Sequence, residues 1–217
     1  VVIYGSTLSP FVRKVVAVAT AKGADFTLKR INRGSQNPEF LAASPLGKMP
    51  ALRDGDFTLA DSTAIAFYLD ARCGGPALIP TDAKMLARVI WWDEFADTEL
   101  FGCLRPMFFN RIVCPLFMGQ PGDEAAAVAG ETELLRLLGY LERVLPEAGV
   151  FLVGDRLTLA DLALASPFVN LAHLRRDLGA FPRVRRWSEA MLSGPAFARM
   201  IAEEHALIGQ ARERQTG

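Results

Sequence analysis

Three short stretches place small polar residues where a helix should begin. The first is Ser9-Pro10-Phe11-Val12-Arg13-Lys14. Proline suits the first helical position and serine suits the cap before it. A helix start also gathers unpaired N–H groups and positive partial charge, so it stabilises an anion. A serine hydroxyl there can donate to a bound thiolate, and thiol pKa values fall from about 8.5 to as low as ~3.5 in such surroundings. The plainer alternative is that Ser9 only caps its helix. The second stretch is Ser44-Pro45-Leu46-Gly47-Lys48-Met49-Pro50-Ala51, in which Pro50 opens a strand. A cis bond there would turn the Met49 N–H and C=O outward toward a peptide-like ligand. An ordinary trans proline at an edge-strand start is the alternative. The third is Leu59-Ala60-Asp61-Ser62-Thr63, where a strand hands over to a helix. Free N–H groups and the Ser62 hydroxyl would form a carboxylate site, with helix capping as the competing reading.

The elements that must carry these stretches follow from periodicity. Residues 1–4 read as a buried strand ending at Gly5. Residues 10–22 read as a helix closed by Gly23. A second strand is expected over 26–31 and one or two helical turns over 37–43. Asp54-Gly55 is a tight turn joining strands at 51–53 and 57–59. A helix over 61–72 follows, ended by Cys73-Gly74-Gly75-Pro76. The order β-α-β, then β-β-α, is that of a small thioredoxin-like sheet, its first two strands parallel and joined by a right-handed crossover. Beyond residue 80 the strand signals nearly vanish. Helical patterns run over 82–109, 124–145, 158–174, 182–192 and 195–204, with a polar tail to the end. Thr158 and Asp161 form a capping-box variant that reads as structural. The expected organisation is an α/β domain at 1–76, a linker at 77–83 and an all-α domain at 84–217.

Composition narrows the function. Lys and Arg number 24 and Asp and Glu number 24, giving zero formal net charge. That argues against a nucleic-acid binder working by phosphate neutralisation and against a polybasic membrane anchor. Residues 1–78 carry nine basic and six acidic groups, so the two halves are oppositely charged. No window holds 18 uncharged apolar residues, so a membrane span is not expected. The first residues read as a strand and not a signal peptide. Cys73, Cys103 and Cys114 are odd in number and lack CxxC spacing, which points to a reducing cytoplasm. His173 and His205 stand apart from any cysteine, so no metal site is expected. Neither GxGxxG nor GxxxxGK[ST] occurs.

Taken together, the runs SPFVRKV, NPEFLAASPLGKMPAL, LADSTAIAFYLD, LVGDRLTLADLALAS and FPRVRRWSEAMLSGPAF resemble the glutathione S-transferase superfamily over nearly the whole chain. The resemblance implies a thioredoxin-like domain, a helical domain and usually a cytoplasmic homodimer, with glutathione as co-substrate and a small hydrophobic electrophile as the other partner. It points to a bacterial-type member of the serine classes (theta, zeta and tau). Ser9 then matches the activating hydroxyl. Met49, with Pro50 behind it, matches the residue whose backbone pairs with the cysteinyl part of glutathione. Lys48 resembles a position that reaches the glycyl carboxylate, near which Ser35 and Gln36 also fall. Asp61 and Ser62 match the Glu/Gln-Ser pair that holds the γ-glutamyl end, with Asp one methylene shorter than the commoner Glu. Asp97 matches an aspartate that in some classes reaches across the dimer to the ligand's amino group. Tyr4 lies in strand 1 and is given no catalytic part.

The electrophile pocket is expected between Ser9–Phe11 and the long helix of residues 82–109. Phe11, Arg105, Phe108, Phe109 and Arg111 are its candidates, against the alternative that the phenylalanines are core and the arginines a solvated face. Of the adjacent Trp91 and Trp92, one is expected in the core. The leading reading is a glutathione transferase. Alternatives are an isomerase, dehalogenase or peroxidase on the same site, or a non-catalytic glutathione-fold binding protein.

Overall fold

The apolar run Val2-Ile3-Tyr4 forms β1, the strand on which the first half of this computed structural model is built; the structure describes residues 1–216. Helix α1 (Pro10–Ala21) leads to β2 (Thr27–Lys29), the short α2 (Pro38–Ala43), the hairpin β3 (Ala51–Asp54) and β4 (Phe57–Ala60), and α3 (Ser62–Arg72). The sheet order is β2-β1-β3-β4. Strands β1 and β2 are parallel; β3 runs antiparallel to both β1 and β4. Successive side chains of a strand face opposite ways. Ile3 and Leu52 therefore join Val12, Val16, Ile65 and Leu69 under α1 and α3, while Tyr4 and Ala51 meet Phe40 and Ala43 of α2 on the other face. This is the expected thioredoxin-like arrangement.

Gly5 decides how closely α1 returns over the strand. Its φ is +154°, and a Cβ there would lie 2.4 Å from Val12 Cγ2. Only a residue without a side chain lets the first turn of α1 settle onto the end of β1.

The chain from 83 to 118 is one helical rod. It comprises α4 (Ala83–Phe95) and α5 (Phe101–Phe108), each followed by a wider stretch with i→i+5 bonds, at Ala96–Leu100 and Phe109–Met118. The sequence expectation ended this helix at 109. Pro106 and Pro115 lie inside the rod without ending it. A proline removes one N–H and crowds the preceding turn; at Pro115 the widened stretch Phe109–Met118 absorbs both effects. By length and composition the rod could cross a membrane. Here its apolar face is covered by α6 (Glu124–Val144) and α7 (Leu159–His173). Trp92 is buried and Trp91 half-exposed, as their adjacency requires. Helix α8 (Pro182–Leu192) follows, then α9 (Ala198–Thr216). The expected polar tail after 204 is thus helical. Ile208 packs on Phe108 and Ile112, giving the segment an apolar anchor despite its charges.

The start of α7 is tied by Asp161. Its carboxylate accepts from the N–H of Leu152 at 2.8 Å, the N–H of Thr158 at 2.8 Å and Thr158 Oγ1 at 3.0 Å. Burial pushes this carboxyl up to about 6 while those donors pull it down. Asp161→Ala would strand two inward-facing N–H groups and should cost at least about 2 kcal/mol in urea unfolding. A loss under about 0.5 kcal/mol would mean that water takes the carboxylate's place.

Candidate functional site

Strand register brings the three polar stretches together. Tyr4 pairs with Ala51, and Ala51 pairs with Ala60, so these residues form one row across the sheet. The chain leaves β1 toward Ser9, enters β3 from Pro50 and leaves β4 into Asp61, all at the same end of the sheet. Neighbouring strands are about 4.8 Å apart. The three stretches therefore face one another, although 40 or more positions separate Ser9 from the other two.

Ser9 has the extended backbone of a helix cap, but its hydroxyl makes no capping hydrogen bond. The capping alternative is not what the side chain does. The Arg13 N–H donates to Ser9 O at 3.0 Å, while the N–H groups of Phe11 and Val12 have no partner among the described residues. A free hydroxyl and two free N–H groups at a positively polarised helix start form a site for an anion.

The Met49–Pro50 peptide bond is cis, the less common of the two forms weighed from sequence. Among the described residues neither the N–H nor the C=O of Met49 has a partner. Buried Ser44 holds the preceding residue: its Oγ donates to Lys48 O at 2.7 Å and accepts from Lys48 N at 3.1 Å. The Lys48 side chain is exposed. Ser44 was within a stretch singled out from sequence but was given no role there. Ser35 and Gln36 are engaged in their own loop, with Ser35 Oγ accepting from Asn37 N and Gln36 Nε2 donating to Gly34 O. Tyr4 is wholly buried, its hydroxyl held between Glu39 and Arg53.

At the start of α3, Asp61 is the cap. Its Oδ1 accepts from Ala64 N at 2.9 Å, and its φ of +83° is a strained value for a residue with a side chain. Capping therefore occupies Asp61 but leaves Ser62 out. Ser62 Oγ is buried and lies 3.5 Å from Asp97 Oδ2, at the limit of a hydrogen bond. Asp97 thus lies against Ser62 within one chain.

Asp97 belongs to a buried charge cluster that sequence reading missed. Lys14 Nζ lies 2.7 Å from Asp93 Oδ1, 2.6 Å from Asp97 Oδ2 and 3.2 Å from Thr63 Oγ1. Thr63 Oγ1 in turn donates to Asp93 Oδ2 at 2.5 Å. One cation thus faces two carboxylates, directly behind Ser62. The available signal was a lysine within the apolar helix run Phe11–Ala19, since a fully buried lysine requires a counter-charge.

The expected pocket residues of the rod are dispersed. Phe11 meets Phe101 edge-on, centroids 4.6 Å apart, so an aromatic pair stands beside Ser9. Phe101 was not picked out from sequence. Arg105 is exposed and Phe109 partly buried. Phe108 is core, packed with Ile112 and Ile208. Arg111 is bound by Glu124 at 2.6 Å and Glu131 at 2.9 Å, so its charge is already answered. A groove of about 600 Å³ lies elsewhere, between α1, β2 and the start of α9; Thr7, Phe26, Arg30 and Met200 line it, and Ser9, Met49 and Ser62 do not. Among the described residues no group of His, Cys, Asp and Glu could hold a metal ion.

Burial pushes the Asp97 carboxyl up to about 6; Lys14 opposes the rise and Asp93 adds to it. Between about pH 4 and pH 6 the unfolded chain has released this proton and the folded chain has not, so stability falls as pH rises. Asp97→Asn has no such proton. Urea unfolding at about pH 4 and about pH 7 should show the parent losing about 2–3 kcal/mol more than the variant. Equal losses would mean that Asp97 titrates as an ordinary carboxylate.

Comparison with known proteins identifies the family. Residues 3–77 match the glutathione S-transferase N-terminal domain and residues 101–195 the glutathione S-transferase C-terminal domain. The chain is 34% identical over 208 residues to glutathione S-transferase 3 of Zea mays, covering 92% of each chain. It is 33% identical over 216 residues to glutathione S-transferase theta-3 of Mus musculus, covering 97% of this chain and 89% of that one. The solved structure of glutathione S-transferase III in its apo form superposes with a TM-score of 0.78 at 34% identity, covering 93% of this chain and 95% of that one. With both halves matched in order, and relatives of about a third identity matched over nearly the whole chain, the chain belongs to the glutathione S-transferase family.

Proposed function

We propose that this chain is a serine-type glutathione transferase whose Ser9 holds the glutathione sulfur as a thiolate. The observation that carries the reading is the Ser9 hydroxyl, uncommitted at a helix start that also offers two free N–H groups. The tripeptide would lie along the sheet end. Its cysteinyl backbone would pair with the open N–H and C=O of Met49, and Lys48 would meet the glycyl carboxylate. The Ser62 hydroxyl and the first N–H groups of α3 would hold the γ-glutamyl carboxylate, with Asp97 close enough to attract the ammonium. Lowering the thiol pKa by ~1.5–2 units corresponds to about 2–3 kcal/mol of thiolate stabilisation. The thiolate then attacks an apolar electrophile lodged by the Phe11–Phe101 pair. Residues 1–76 would bind glutathione, and residues 84–217 would supply the electrophile wall.

Ser9→Ala should raise the pKa of bound glutathione, read from thiolate absorbance against pH, and slow conjugation at neutral pH. An unchanged titration would leave Ser9 without a chemical role. Ser62→Ala should weaken glutathione binding by ~1.5–3 kcal/mol, about ten- to hundredfold, in titration calorimetry. Equal affinities would remove Ser62 from the site.

The chain should also pair with a second copy, through α3 and the beginning of the rod. Phe57, stacked on Tyr68 of α3, is 46% exposed and Trp91 of the rod 48%, so both elements carry open aromatic surface. Light scattering at micromolar concentration should return twice the chain mass; the mass of one chain would refute the pairing.

A further inference from the structure

The first turn of α1 is held from the far end of the chain. Arg13 is fully buried, and all five of its N–H groups are taken. Nε donates to Glu204 Oε1 at 3.1 Å and Nη2 to Glu204 Oε2 at 3.0 Å. Nη1 donates to Ser166 O at 2.6 Å, and both Nη atoms reach Asn170 Oδ1, at 3.1 and 3.2 Å. Ser166 Oγ in turn donates to Pro10 O at 2.6 Å. The backbone N–H of Arg13 donates to Ser9 O at 3.0 Å. The carbonyls of Ser9 and Pro10 are thus each tied, directly or through Arg13, to α7 and α9.

Glu204 also meets His173 Nε2 at 2.7 Å. Burial works to raise the Glu204 carboxyl, but Arg13 and His173 outweigh it and the net direction is downward, so it stays ionised at neutral pH. A buried ion pair adds little net stability over apolar side chains of the same shape. A bidentate arginine–carboxylate fork does supply a fixed geometry. The turn it fixes is the one that carries Ser9, and a displacement of about 1 Å is enough to spoil a reacting geometry.

We infer that Glu204 is a positioning residue for thiolate formation: through Arg13 it sets the place of the first turn of α1, and so of the Ser9 hydroxyl and the Phe11 and Val12 N–H groups, against the glutathione sulfur. The inference rests on the reading of that helix start given above. It assigns to the last helix a part in sulfur chemistry, although Glu204 lies 191 positions from Arg13.

The test uses the full-length chain with Glu204→Gln, and with Arg13→Met combined with Glu204→Met. The double variant removes both charges and so leaves no unpaired buried arginine. Melting temperature, calorimetric glutathione affinity and thiolate absorbance against pH are measured on each. In both variants the bound thiol should titrate about one unit higher, lowering the thiolate fraction at neutral pH about three- to fivefold. Glutathione affinity should change less than about threefold, because the Met49 and Ser62 contacts are intact. A purely structural role would lower the melting temperature without moving the titration, and a folded double variant that titrates with the parent overturns the inference. Ser9→Ala is run beside them. If that variant alone titrates with the parent, the Ser9 reading fails, while Glu204 is still judged on its own curves.

Discussion

Two adjacent cations inside one helix organise this molecule. Arg13 and Lys14 are both buried in α1, and neither can stay there without anions brought from the second half of the chain. Neighbours on a helix point about 100° apart. Arg13 therefore turns to Glu204 on α9 and to α7, while Lys14 turns to α3 and to Asp93 and Asp97 along the rod. The helix that carries Ser9 is gripped from two sides. The sheet half and the helical half are joined by charge as well as by the apolar core that runs across both.

The same arrangement recurs at the sheet-end site. Each of the three polar stretches has backbone groups left open and a backing element that stops them from finding other partners. Behind Ser9 stands Arg13, behind Met49 stands Ser44, and behind Ser62 stands the Lys14–Asp93–Asp97 cluster. Unpaired groups in water gain little from a ligand. Unpaired groups held in place lose little freedom on binding, and this preorganisation is where affinity for a small peptide can arise.

Legibility in the sequence followed the range of the forces. The helices and strands of the first half were readable because periodicity, Gly5, the Asp54-Gly55 turn and the helix-starting prolines act within a few residues. The rod was read through Pro106 but ended too early at 109, where Pro115 soon follows and resembles a stop; the structure carries the helix through it as a widened stretch packed on α6 and α9. The length of α9 was missed because the chain after 204 looks like a polar tail until Ile208 is placed against Phe108 and Ile112. Among the residues proposed for the pocket wall, Phe11 stands beside the site, whereas Arg111 has its own anions and Phe108 its own core. Charge and aromaticity alone do not say which side of a helix faces a cleft.

The sequence by itself determined the local pieces: a serine at a helix start, a proline before a strand, an Asp-Ser pair at the next helix start, and the order that makes a small mixed sheet followed by helices. These depend on backbone geometry and short-range hydrogen bonding, which neighbouring residues control. Only the tertiary structure decided that the Ser9 hydroxyl is left uncommitted, that Asp61 rather than Ser62 serves as the cap, and that buried cations anchor the first helix from both sides. Such outcomes turn on which distant groups reach a polar atom first once water has been excluded.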